Sequence, residues 1–501
     1  MIRSTRQAGV LLHPTSLPSR FGIGDFGPAA DAFLDWVARA GLRIWQVLPL
    51  GPTGPHRSPY DGLSAFAGNP LLISPEWLLE EGLLPASALD GAEEFPDGGI
   101  DWDAVVAFRT RILRASFDHA GALGGRVAEE RARFASSPPQ APWLQDFTLF
   151  AALRERHAGR AWMDWDPGFA SRDPEALAAA RAEFAGEIAF HEYVQFLFFR
   201  HWERVKQAAN TRGISIMGDL PIYVGSDSAD VWAHRRLFAV DDAGRPSALA
   251  GVPPDYFSAD GQLWGHPLYR WDVLAEEGYD WWIERVRMNL RLADLVRIDH
   301  FRGFAAYWEV PAGAKTAREG RWVNGPGLML FLAIRHALGD VPIVAEDLGL
   351  LTDDVRRLVE TLGLPGMKVL QFAFGETDSE HLPHRYIPNL VVYTATHDND
   401  TATGWFAALD SDSRERLFDY LGSDGHDVAW DLVRAAFTSV ADRAIAPLQD
   451  LLGLGPEARM NTPGQAVTNW SWRISSGALS PERAARLRRL AVLTGRVAPA
   501  G

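Results

Sequence analysis

Asp294-Leu295-Val296-Arg297-Ile298-Asp299 is a short, mostly apolar run that ends in charge. A near-continuous apolar run is what a parallel strand covered on both faces requires. The same form recurs at 8–13 (AGVLLH), 43–50 (RIWQVLPL), 215–219 (SIMGD), 341–347 (VPIVAED), 367–372 (MKVLQF) and 389–394 (NLVVYT). Helical stretches alternate with these runs; one at 25–40 has an apolar face through Phe33, Leu34 and Val37. Such alternation implies an α/β fold with a parallel sheet. With a weaker run at 458–461, the units number about eight, which favours a closed (β/α)8 TIM barrel over an open sheet.

The gap between the second and third runs is too long for one crossover helix. It opens on Gly51-Pro52-Thr53-Gly54-Pro55 and continues through Ala/Arg/Glu-rich helical segments from 102 to 209. Residues 51–209 therefore read as an inserted, mainly helical subdomain of a single barrel spanning 1–501. A second insertion, 226–279, follows the third run and is rich in turns, at Asp241-Asp242-Ala243-Gly244, Pro253-Pro254-Asp255 and Asp260-Gly261.

The composition, 47% hydrophobic and 23% charged over 501 residues, is that of an ordinary globular protein. A net charge of −15 repels phosphate backbones and anionic lipid, so neither nucleic acid nor membrane is an expected partner. The chain has no cysteine, which excludes disulfides, thiolate metal sites and Cys nucleophiles. Residues 1–6 lack the apolar run of a signal peptide, and a cytoplasmic monomer is the expectation.

Several runs end in polar or charged residues: His13, Asp219, Arg297 with Asp299 and His300, Glu346 with Asp347, and His397-Asp398-Asn399-Asp400. In a barrel the C-terminal strand ends meet at one mouth, where active sites lie. Taken singly, Asp219 or Asp347 reads equally well as a helix cap or ion-pair partner, and His13 or His300 as a packing histidine. Taken together they read differently, because clustered carboxylates are costly to bury without a cation or a function. The chain has no HExxH, EF-hand, Walker A or GxSxG pattern and no GxGxxG after a strand, and Asn461-Thr462-Pro463-Gly464 matches a phosphate loop poorly. Glycoside chemistry suits the cluster: it needs one ionised carboxylate and one protonated one. Arg297 would keep Asp299 ionised. Glu346 follows Ile343-Val344-Ala345 and has Asp347 beside it, so burial and a like charge would raise its pKa, as a general acid requires. Asp398 remains to hold sugar hydroxyls. A minority of the 19 tryptophans would stack on sugar faces.

These blocks resemble the amylomaltases, the 4-α-glucanotransferase (disproportionating enzyme) family, glycoside hydrolase family 77. The resemblance runs over nearly the whole chain. It is carried by His13-Pro14-Thr15-Ser16-Leu17-Pro18, Trp45-Gln46-Val47-Leu48-Pro49-Leu50-Gly51-Pro52, Ser58-Pro59-Tyr60 and Gly218-Asp219-Leu220-Pro221-Ile222. Gly251-Val252-Pro253-Pro254-Asp255-Tyr256-Phe257, Arg297-Ile298-Asp299-His300-Phe301-Arg302-Gly303 and Ala345-Glu346-Asp347-Leu348-Gly349 add to it. So do Thr396-His397-Asp398-Asn399-Asp400-Thr401 and Asn469-Trp470-Ser471-Trp472-Arg473.

The resemblance implies a (β/α)8 barrel with inserted subdomains and no C-terminal β-domain. It implies transfer of α-1,4-glucan segments from maltooligosaccharides, amylose or glycogen-derived dextrins to the 4-hydroxyl of glucose or a maltodextrin. The route would be a retaining double displacement, with Asp299 as nucleophile, Glu346 as acid/base, Asp398 stabilising the transition state and Arg297 positioning Asp299. Ser58, Tyr60, Asp219, Pro254, Asp255, Tyr256, Gln262, Trp264, Arg297, His300, His397 and Asn469 would line the substrate path. The loop 253–261 would cover the cleft. No cofactor or metal is implied. One departure is Pro55-His56-Arg57, where some relatives carry an aromatic residue that stacks on a second glucan; Trp102 is the remaining candidate there. An α-amylase-type retaining hydrolase of α-1,4-glucans would use the same three carboxylates. A non-catalytic glucan-binding barrel would lack one of them, and the acidic cluster disfavours a phosphate-handling barrel.

Overall fold

Eight short strands form one parallel sheet in the computed structural model, which describes residues 6–90, 95–123, 125–138, 140–254, 259–349, 351–465 and 469–497. In chain order the barrel strands are β1 (Gln7–Leu11), β2 (Ile44–Gln46), β3 (Ser215–Leu220), β4 (Leu295–Ile298), β5 (Ile343–Ala345), β6 (Gly366–Val369), β7 (Leu390–Tyr393) and β8 (Arg443–Pro447). They pair in the order β6-β7-β8-β1-β2-β3-β4-β5. The seam between β5 and β6 is bridged by Ala345 N donating to Pro365 O at 2.9 Å and by Met367 N donating to Asp347 Oδ1 at 2.6 Å. The fold is a (β/α)8 barrel. After β8 the described chain is helices and turns, with no C-terminal β-domain.

Apolar runs become strands here because both faces are covered. Leu11, Ile44, Met217, Val344, Val391 and Ile445 pack together inside the barrel. The intervening positions, such as Val10, Ile216, Val296 and Val392, face the surrounding helices. Pro28–Arg39, Ala185–Thr211, Asp280–Leu292, Leu328–Leu338, Asp353–Leu362, Val428–Thr438 and Pro481–Leu493 are the main helices of that outer layer.

Three sequence expectations are revised. The eighth strand is Arg443–Pro447, not 458–461: residues Pro456–Ala458 form a 3₁₀ turn, and Asn461 lies in a loop. Arg443-Ala444-Ile445-Ala446-Pro447 escaped notice because two alanines and a terminal proline dilute its apolar signal. The crossover from β6 to β7 holds only 3₁₀ turns, Leu370–Phe372 and Pro383–Arg385, in place of an α-helix. A four-stranded antiparallel sheet was also unforeseen. Its order is Gln262–Pro267, Ala248–Val252, Ala306–Pro311, Arg321–Asn324, so two strands come from the β3–β4 connection and two from the β4–β5 connection. No single stretch of sequence shows a sheet whose halves lie on either side of a barrel strand.

Between β2 and β3 run the helices Trp102–Leu123, Arg126–Ser136, Ala141–Arg156 and Pro174–Glu183, and Ala185–Thr211 then leads into β3. One contact closes this segment on itself and a second ties it to the barrel. Gln195 clasps the backbone of Gly68, accepting from its N at 2.7 Å and donating to its O at 3.0 Å. A Cβ on Gly68 would lie 2.0 Å from the Phe198 ring, so only glycine permits the approach. The second contact is a buried ion pair. Arg109 Nη2 lies 2.7 Å from Asp25 Oδ2, and the same guanidinium donates to Ile73 O at 2.8 Å. No helix among the described residues is long and apolar enough to cross a membrane.

Removing one member of a buried pair strands the other charge. Arg109→Met is therefore expected to lower unfolding free energy by about 3–5 kcal/mol. Urea denaturation checks this; a loss below about 1 kcal/mol would mean that water solvates Asp25 readily.

Candidate active site

Register delivers the first cluster. Asp219 on β3 and Arg297 on β4 are paired across neighbouring parallel strands. Arg297 Nη1 donates to both carboxylate oxygens of Asp219, at 2.7 and 2.6 Å. Asp299 lies two residues beyond Arg297, a spacing that returns its side chain to the same face. Arg297 Nη2 donates to Asp299 Oδ1 at 2.7 Å. Burial works against the guanidinium's charge, but Asp219 first and then Asp299 hold it cationic, raising its pKa well above the ordinary value.

Glu346 follows β5 and sits against the Asp299–His300 peptide. Its Oε2 accepts from His300 N at 2.7 Å, and its Oε1 accepts from Leu348 N at 3.0 Å. Its pKa is raised to about 8, chiefly by burial and secondly by Asp299. The like charge that matters most is thus Asp299; Asp347, the neighbour expected from sequence, points into the β5–β6 seam. His300 takes the left-handed conformation at φ 51°, which turns the chain so that its N–H faces Glu346.

Asp398 lies beyond β7 in a turn closed by Asn399, whose Oδ1 accepts from Thr396 N at 2.9 Å. Its own Oδ1 accepts from Asn461 Nδ2 at 2.6 Å and lies 3.3 Å from His397 Nε2. His397 stacks on Tyr60 with ring centroids 4.9 Å apart, and Tyr60 Oη donates to Asp219 Oδ2 at 2.7 Å. A chain of contacts therefore connects Asp398, His397, Tyr60, Asp219, Arg297, Asp299 and Glu346. The mouth has both an ion-paired carboxylate and a protonated one.

Comparisons over the whole chain identify its family. A family model described as 4-alpha-glucanotransferase matches residues 12–479. The 4-alpha-glucanotransferases of Synechocystis and Thermus thermophilus are each 48% identical to this chain, over 98% of it and over 98% and 99% of their own lengths. An amylomaltase from Streptococcus agalactiae, solved in complex with acarbose, superposes with a TM-score of 0.95. It is 36% identical and covers 98% of this chain and 100% of its own. The chain belongs to the 4-α-glucanotransferase family. Its activity is to move α-1,4-glucan segments from a donor chain to the 4-hydroxyl of an acceptor.

Other residues of this 4-α-glucanotransferase expected at the mouth fall into groups. Trp264 meets His300 edge-on at 4.8 Å, and its Nε1 donates to Gln262 Oε1 at 3.2 Å. His300 Nε2 is buried without a hydrogen-bond partner among the described residues, and burial pushes its pKa down to about 4. Ser58 Oγ accepts from Tyr60 N at 3.2 Å and so shapes the turn that presents Tyr60. Asn469 is directed inward to its own loop: Nδ2 donates to Thr462 O and Gln465 O, and Oδ1 accepts from Thr462 N. Pro254 is exposed past the strand Ala248–Val252. Asp255, Tyr256 and the rest of 255–258 within the expected cover over the cleft lie outside the described residues.

Residues beyond the sequence-derived set also belong here. Trp470 lies 5.9 Å from His397 and 6.1 Å from Tyr60, ring to ring. It stood in a quoted motif, but without a role. Asn461 and Arg459 stood only in the 458–461 run read as a weak strand, and Asn461 also in a poorly matching loop motif. A cavity of about 600 Å³ is lined by Arg459, Thr462, Asn469 and Trp472 but by none of the three carboxylates.

Arg297→Lys keeps a cation but loses the two-pronged fork, so one carboxylate is left unheld. The variant should fold and lose at least about tenfold in transfer rate. Arg297→Met should cost about 3–5 kcal/mol in stability, read by denaturant melts, because two carboxylates then face each other uncompensated.

Proposed function

We propose that Asp299 attacks the anomeric carbon while Glu346 protonates the departing glycosidic oxygen. The observation that carries this is the contrast between the two carboxyls. Asp299 is paired with Arg297 at 2.7 Å and partly open to solvent; Glu346 is buried and protonated at neutral pH. A nucleophile must be ionised and a general acid must hold its proton; the ion pair suits Asp299 to the first role and the raised pKa suits Glu346 to the second. The bond from Asp299 to the sugar forms as the glycosidic bond breaks, and the proton of Glu346 goes to the leaving oxygen. Once Asp299 is esterified its negative charge is gone. The main like charge raising Glu346 is then removed, which favours ionised Glu346 as the base for an acceptor hydroxyl.

Asp398 stabilises the positive charge that develops at the anomeric carbon. His300, neutral at physiological pH and with Nε2 unpaired, offers a hydrogen bond to a sugar hydroxyl. His397 does the same from the Tyr60 stack, and Trp264 supplies an apolar face. Free glucose serves as the smallest acceptor.

Incubation with maltotriose should yield glucose and longer maltodextrins while total reducing ends stay constant. Rising reducing ends without chain lengthening would instead identify a hydrolase. Asp299→Asn should remain folded and lose at least about 10³-fold in rate; near-normal turnover would exclude Asp299 as nucleophile.

A pH profile offers an independent check. Glu346 is raised from 4.5 to about 8, so its acid form is present below that pH and is lost as pH rises through it. The alkaline limb of kcat/KM should therefore have a midpoint near 8. Activity flat to about pH 9.5 would contradict Glu346 as the acid.

A further inference from the structure

We propose that Asn461 and Arg459 are positioning residues that set the orientation of Asp398, which, on the reading above, stabilises the transition state. Asp398 needs such support. Its side chain is 47% exposed, so packing alone does not select one rotamer. Asn461 Nδ2 donates to Asp398 Oδ1 at 2.6 Å. Arg459 Nη2 donates to the backbone oxygen of Asp398 at 2.7 Å, and its Nε donates to Asn461 O at 2.8 Å. Side chain and main chain of Asp398 are thus gripped by two residues that also grip each other.

The segment that carries them is itself braced. Trp470 N donates to Met460 O at 2.8 Å. Asn469 Oδ1 accepts from Thr462 N at 2.9 Å, and its Nδ2 donates to Gln465 O at 2.7 Å. Trp470, at φ 64°, turns its ring toward His397 and Tyr60. The loop therefore meets the mouth at Asp398 and again at the His397–Tyr60 stack.

The donor types fit the task. Asn461 is a neutral amide, so it fixes the carboxylate without cancelling its charge. The cation, Arg459, is directed at a backbone carbonyl instead. Asp398 keeps its full field for the developing positive charge, in a fixed direction. A small misplacement of such a group is costly to rate without affecting ground-state binding equally.

The test is a set of full-length variants assayed on maltotriose by glucose release. Asn461→Ala should lose about ten- to a hundredfold in kcat, with KM changed less than about threefold and thermal unfolding nearly unchanged. Asn461→Ser, which keeps a shorter donor, should recover part of the loss. Asn461→Asp places a like charge against Asp398 and raises its pKa, so the acid limb of kcat should move to higher pH. A merely structural role would not move that limb. The proposal is overturned if Asn461→Ala keeps kcat within about twofold, if the loss lies in KM alone, or if the acid limb of Asn461→Asp stays in place. Asp398→Asn run in parallel separates the two levels. If that variant stays active, the role of Asp398 is wrong; if it is inactive while Asn461→Ala is normal, only the coupling is wrong.

Discussion

The site depends on one guanidinium. Arg297 is almost fully buried, yet it satisfies Asp219 through one nitrogen and Asp299 through another, at 2.6 to 2.7 Å. Without it two carboxylates at one barrel mouth would repel each other, and at least one would take up a proton. With it, Asp219 becomes an anchor that also receives Tyr60, and Asp299 has a cation beside it. The planar fork of arginine can hold two carboxylates at fixed angles, which a lysine ammonium cannot do as rigidly.

From that pairing follows the asymmetry the chemistry needs. Glu346 lies beside Asp299 but receives no cation of its own; it accepts two backbone N–H groups and is otherwise buried. The cation pairs with Asp299, while burial falls on Glu346 and raises its pKa. The opposite side of the mouth is held differently. Asp398 is half exposed and gripped by a neutral amide at its carboxylate and by Arg459 at its backbone oxygen, and the aromatic stack of Tyr60, His397 and Trp470 links it back to Asp219.

Much of this was legible in sequence. Seven of the eight barrel strands are apolar enough to show themselves, and the polar residues after them mark the mouth. Asp299 and Arg297 could be paired on paper, because a two-residue spacing on a strand puts both on one face. The eighth strand was missed because Ala444 and Ala446 bury little apolar area for a strand signal to register. Asp347 raises Glu346 as the sequence suggested, but less than Asp299 does, because adjacency in sequence puts it on the opposite side of the strand, where it closes the barrel seam. Asn469, an expected sugar contact, also ties together the loop it belongs to through its amide, which sequence did not show.

The sequence by itself determined the barrel, the three carboxylates and the family, because buried parallel strands and strand-end motifs are local patterns. Only the tertiary structure decided which charges oppose which. The two-pronged bond from Arg297 to Asp219 spans 78 positions, and the bond from Asn461 to Asp398 spans 63. Contacts that long leave no periodic trace. Electrostatic influence falls with distance through space and with local dielectric, neither of which sequence separation encodes. The environments on which the proposed roles of acid, nucleophile and anchor rest are therefore set by the folded mouth.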